Sequence, residues 1–169
     1  DFSTYWPSSP GQPSGWTDCQ DITQVSPGNG ITGNAAQGYK MTTPTTTYPA
    51  FRTSSAGVGI PTTVAYTNLS LYYRFTSVNG DVMKVTVSVF NASHSQIGFG
   101  IAEVTTTTGT VLDFVPLTVP VNYSGSGAAE VIISVIMNTS SGGPVPNHGS
   151  NFAIDDLLLS GGTVSVDGI

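Results

Sequence analysis

Two stretches of strict alternation constrain what this chain can fold into. In Ser70–Ser77, Leu71, Tyr73 and Phe75 fall on one side, and Tyr72, Arg74 and Thr76 on the other. In Val82–Phe90, Met83, Val85, Val87 and Val89 oppose Lys84, Thr86 and Ser88. Side chains leave an extended backbone on alternate faces, so a period of two over such lengths predicts half-buried strands of an antiparallel sheet. The turn signal Asn79-Gly80-Asp81 between them predicts a hairpin.

Further strands are expected at Ile22–Val25, Tyr39–Met41, Gln96–Thr106, Thr110–Asn122, Glu130–Met137 and Asn151–Ser160. Thr107–Gly109 is expected to close another hairpin. Pro116 and Pro120 cannot donate to a ladder and place their strand at a sheet edge or a bulge. Val131–Ile136 is almost wholly apolar, which predicts a strand covered on both faces. No segment carries a helical period of three turns. About eight strands joined by Gly, Pro and Asn turns predict a sandwich or barrel. The abundance of Thr and Gly fits, since Thr suits a pleated surface and Gly suits tight turns. At 169 residues the chain predicts one β-sandwich domain over 1–169.

Only 38% of residues are hydrophobic, yet charged residues make up just 8%, so the composition is not that of a disordered chain. Lys40, Arg52, Arg74 and Lys84 are the only basic residues, against a net charge of -6. So few cations exclude a phosphate-binding footprint for nucleic acid and argue against docking on an anionic membrane. No apolar run approaches the roughly twenty residues of a membrane span. Cys19 is the single cysteine, so no intrachain disulfide forms. The chain opens at Asp1 without a leader segment, as expected of a processed or excised piece. Uncharged polyols such as glycans remain compatible partners.

Catalysis finds little support. Glycoside hydrolysis needs two carboxyl groups facing each other across a cleft. Asp81 in a turn, and Asp113 and Glu130 near strand starts, read as solvated; only Glu103, in mid-strand, looks placed. His94 and His148 lie in turn-like segments, away from any nucleophile elbow and from the clusters zinc needs.

Several local patterns align, in order, with one family. Phe2, Trp6-Pro7 and Pro13-Ser14-Gly15-Trp16 resemble the opening of jelly-roll carbohydrate-binding modules. Gly38-Tyr39-Lys40-Met41 is similar to their second strand. Leu71-Tyr72-Tyr73-Arg74-Phe75 with Val78-Asn79-Gly80-Asp81 resembles a run frequent in secreted modular proteins of the Bacteroidetes. Asn151-Phe152-Ala153-Ile154-Asp155-Asp156-Leu157 resembles their last strand. The resemblance covers most of the chain. It implies a galactose-binding-like jelly roll, an antiparallel β-sandwich, with export from the cell and attachment to a larger polypeptide. It also implies a structural Ca²⁺, for which Asp1, Asp155 and Asp156 are the available carboxylates. The acidic residue that usually follows the opening Phe is replaced by Ser3, which weakens that expectation.

Sugars are held on such folds by an aromatic ring with flanking polar side chains. Tyr72 and Arg74 share a face of one strand, and Lys84 lies on the polar face of the next; if both strands belong to one sheet, these residues converge. Tyr48, Phe51 and Arg52 form a second candidate in a loop. Two functions follow from different classes. One is a non-catalytic extracellular glycan-binding module. The other is a structural subunit self-associating into fibres or a surface layer, with Thr163–Val166 adding a strand to a neighbouring edge.

Overall fold

The apolar side of each alternating run is the side the fold buries. The computed structural model describes residues 18–20, 22–24, 36–39, 50–52, 59–109, 113–143 and 145–162, with side chains from residue 59 onward. Every element among them is a strand: β1 (Asp18–Gln20), β2 (Ile22–Gln24), β3 (Ala36–Tyr39), β4 (Ala50–Arg52), β5 (Ile60–Pro61), β6 (Asn68–Thr76), β7 (Val82–Asn91), β8 (Gln96–Val104), β9 (Val115–Pro120), β10 (Asn122–Tyr123), β11 (Ala128–Asn138) and β12 (Asn151–Ser160). They form two antiparallel sheets. The seven-stranded sheet runs β1-β4-β11-β7-β8-β10, with β5 also pairing β11, and the five-stranded sheet runs β2-β3-β12-β6-β9. The architecture is an antiparallel β-sandwich of jelly-roll type, as predicted.

The interior lies between β6 and β12 on one side and β7 and β11 on the other. Leu69, Leu71, Phe75, Phe152 and Ile154 meet Met83, Val85, Val87, Val89, Val131, Val135 and Met137, all at most 1% exposed. Each such side chain contributes about 1.5–3 kcal/mol by leaving water. β9 ends its sheet, as Pro116 and Pro120 require.

Four local expectations are corrected. Asn79-Gly80-Asp81 does not close a hairpin, because β6 and β7 lie in opposite sheets and the chain crosses between layers there. Thr107–Gly109 likewise joins β8 to β9 across the sandwich, and Thr108 bridges to Phe75 instead. The hairpin is β7–β8, closed at Asn91–Ser95, where the Asn91 side chain accepts from the amides of Ser93 and Ser95 at 3.0 Å each. β11 is buried on one face only: Ile132, Ser134 and Ile136 alternate as half-buried residues on the outer face.

Asp81 is the fourth. Far from solvated, it is 0% exposed. Its Oδ2 accepts from the Asn147 amide and from Ser150 Oγ, each at 2.6 Å, and its Oδ1 from Asn147 Nδ2 at 2.7 Å. One carboxylate thus ties the β6–β7 crossing to the loop before β12.

Candidate functional site

β8 carries the sequence Gly98-Phe99-Gly100-Ile101, and the glycines take the inward positions. Both are buried because other chain segments press against them. A Cβ on Gly98 would sit 2.8 Å from Tyr123 Cε1, and one on Gly100 would run into the carbonyl oxygen of Pro120. Phe99 and Ile101 therefore face outward, 42% and 46% exposed. Ser88 of β7 and Asn122 of β10 stand directly across from Phe99, and Thr86 stands across from Ile101. Further along, Lys84 stands across from Glu103 and pairs with it at 2.9 Å.

Beside Phe99 lies an open cleft of about 580 Å³, lined by Gln96, Gly98, Phe99, Asn122, Tyr123 and Ser124. The Tyr123 ring packs against Gly98, and its hydroxyl donates to the Tyr66 carbonyl at 2.8 Å. Burial pushes the Tyr123 phenol above its ordinary pKa. Among the described residues, no charged one lines the cleft. The side-chain amides of Gln96 and Asn122 have no hydrogen-bonding partner among the described residues. An exposed aromatic face flanked by uncommitted neutral amides and hydroxyls can hold a hydroxyl-rich ring: its C–H groups stack, and its hydroxyls take the directional bonds.

Tyr72, Arg74 and Lys84 are not brought together. Tyr72 is 37% exposed on the outer face of the five-stranded sheet, opposite Pro116 and Asp155. Lys84 belongs to the other sheet, so the expected convergence fails: the sheets stand back to back. Nor is Arg74 a solvated neighbour of Tyr72. It is 9% exposed, with its guanidinium 5.5 Å from the Phe114 ring centroid, and its Nε has no hydrogen-bond partner. Phe114 packs there against Ala153, which pairs with Arg74 across the sheet. This burial lowers the Arg74 pKa.

Phe51 and Arg52 lie in β4 rather than in a loop, at register positions opposite Val135 and Ser134. Tyr48, Asp1 and Thr163–Val166 lie outside the described residues. Asp155 is fully buried and accepts from the Asp156 amide at 2.9 Å, within a β12 irregularity where Asp156 takes a φ of 50°. Calcium takes six to eight oxygens, and among the described residues no group of three or more His, Cys, Asp or Glu is placed to hold a metal. The expected site also draws on Asp1, which lies outside the described residues, and on backbone carbonyls.

Glu130, expected to be solvated, is 7% exposed. Its Oε2 accepts from the Gly59 amide at 3.1 Å, and its Oε1 lies 2.9 Å from Nδ1 of the exposed His94. Phe99, Gln96 and Asn122 escaped the sequence reading. The available signal was the alternation of glycine with large apolar residues in β8, which marks one face as closely approached by backbone.

No protein-family model and no curated protein matches the chain. Solved structures do. A candidate glycoside hydrolase from Bacteroides thetaiotaomicron superposes with a TM-score of 0.58 at 16% identity, over 85% of this chain and 57% of that one. An arabinose-bound α-L-arabinofuranosidase, MgGH51, gives 0.51 at 14% identity, over 85% of this chain and 22% of that one. The carbohydrate-binding module TmCBM61, in complex with β-1,4-galactotriose, gives 0.50 at 18% identity, over 89% of this chain and 90% of that one. This chain thus spans little over half of the first structure and under a quarter of the second. At these identities the likeness is one of fold.

Proposed function

We propose that this chain is a non-catalytic glycan-binding module that acts outside the cell, with Phe99 as its stacking platform. The observation that carries this reading is the outward Phe99 beside the amides of Gln96 and Asn122, which among the described residues have no partner, at a cleft whose described lining carries no charge. The likeness to a carbohydrate-binding module solved with a galactotriose, matched over nearly the full length of both chains, supports it. The sequence resemblance to modules of secreted proteins supports the extracellular setting. A binding rather than hydrolytic role is supported by how three of the described carboxylates are engaged: Asp81 holds a loop, Glu103 pairs with Lys84, and Glu130 is bonded to Gly59 and His94.

The test is isothermal titration and affinity electrophoresis against soluble polysaccharides that include β-1,4-galactan and arabinan. At least one should bind without being cleaved. Phe99→Ala should weaken that binding about tenfold or more, the loss of roughly 1.4 kcal/mol or above expected for an aromatic anchor. Its unfolding midpoint should stay unchanged. Wild-type protein that binds no member of the panel, or a Phe99→Ala variant of undiminished affinity, overturns the reading.

A further inference from the structure

A second cleft, of about 650 Å³, opens on the same connection as the first. Tyr123 and Ser124 line the first; Gly127, Ala128 and Ala129, a few residues on, line the second. Its described lining also takes in the segment from Pro61 through Val64, Tyr66, and Ala92 of the β7–β8 turn. The two clefts are mechanically joined, because Tyr123 of the first donates its hydroxyl to the carbonyl of Tyr66 in the second.

The walls are fixed in place by the chain itself. The Thr62 amide donates to the Ala129 carbonyl at 3.0 Å. Below them, Glu130 holds the Gly59 amide with one oxygen and contacts His94 of the turn with the other. A cleft held open in this way loses little ordering entropy on binding. Its surface chemistry is also specific. Ala92 and Ala129 carry nothing larger than a methyl group, and a Cβ added at Gly127 would meet nothing within 4 Å. Among the described residues, the hydroxyls of Thr63 and Tyr66 have no hydrogen-bonding partner, and no charged residue lines the wall. Such a described lining suits a neutral, hydroxylated ring.

We propose that the second cleft holds further sugar residues of the chain bound at Phe99, so that the protein recognises an extended stretch of uncharged polysaccharide rather than a single sugar. This inference rests on the Phe99-centred reading. It is tested by titrating wild type, Phe99→Ala, Ala92→Trp and Tyr66→Ala with β-1,4-galacto- and arabino-oligosaccharides from mono- to hexasaccharide. Ala92 is exposed in its turn, so the tryptophan can fill the trough without entering the core. In wild type the hexasaccharide should bind at least about tenfold more tightly than the disaccharide. In Ala92→Trp that gain should shrink to about twofold or less, with disaccharide affinity and unfolding midpoint unchanged, and Tyr66→Ala should shrink it as well. Phe99→Ala should weaken every length.

A wild-type affinity that does not rise with length, or one that rises equally in Ala92→Trp, overturns the extended site while leaving the Phe99 platform standing. Loss of disaccharide binding in Ala92→Trp with none in Phe99→Ala overturns the platform and the extension together, leaving the second cleft as the primary site. Absence of binding at every length overturns both.

Discussion

Replacing Asp81 tests the reasoning about burial most directly. Its carboxylate is inaccessible to water and is satisfied by three donors at 2.6–2.7 Å, two of them from Asn147 and one from the fully buried Ser150. Hydrogen bonds to a charged acceptor are worth about 1.5–3 kcal/mol each, and they are not additive. In Asp81→Ala all three donors lose their acceptor. Asn147 is half-buried and recovers part of its loss through water, but the Ser150 hydroxyl does not. The expected cost is therefore about 3–5 kcal/mol, the range seen when one partner of a buried charged interaction is removed. Asp81→Asn keeps the volume and one oxygen. That oxygen can retain the bonds to the Asn147 amide and Ser150, so the cost should fall to about half. With urea slopes of about 1–3 kcal/mol per molar, the alanine midpoint should drop by on the order of 2 M. Unfolding followed by far-ultraviolet circular dichroism measures both. An alanine variant within about 0.5 kcal/mol of wild type, or asparagine as costly as alanine, would refute the assignment of Asp81 as the clasp between the two loops.

Two more outcomes are expected. Gly100→Ala forces a methyl group onto the Pro120 carbonyl, which is backbone and cannot rotate away, so thermal unfolding should show a loss of about 1–3 kcal/mol; an unchanged Tm rejects the close approach of β8 to β9. Tyr123→Phe should cost about 1 kcal/mol at neutral pH through the lost bond to Tyr66. Because burial raises the Tyr123 pKa, an unfolded Tyr123 ionises before the folded one. Its contribution is thus complete below about pH 10 and is lost as pH climbs through the folded value. Stability of the phenylalanine variant should accordingly decline less steeply than that of wild type above about pH 10, and parallel curves would contradict the shift.

Some of the site was legible in advance and some was not. The alternating faces of β6 and β7 were assigned correctly at every core position named, from Leu71 to Val89. The two prolines of β9 marked an edge strand before any pairing was known. Arg74, however, was assigned to water by its parity, and parity was right: it does lie on the outer side of its sheet. A phenylalanine from a distant loop covers it there. Asp81 in its turn and Glu130 near the start of β11 read as solvated in the sequence, because nothing local shows whether a distant segment folds onto them.

The chain's own order of residues determined its long central strands and which of their side chains share a face, since these depend on a backbone period of two. Only the tertiary structure decided which strands pair, that β6 and β7 belong to different layers so that Tyr72 and Lys84 face apart, and that Phe99 stands beside an open cleft. Those outcomes depend on which apolar faces close over one another and on how near two backbones approach. Such choices are made between segments far apart in the chain, where local periodicity carries no information.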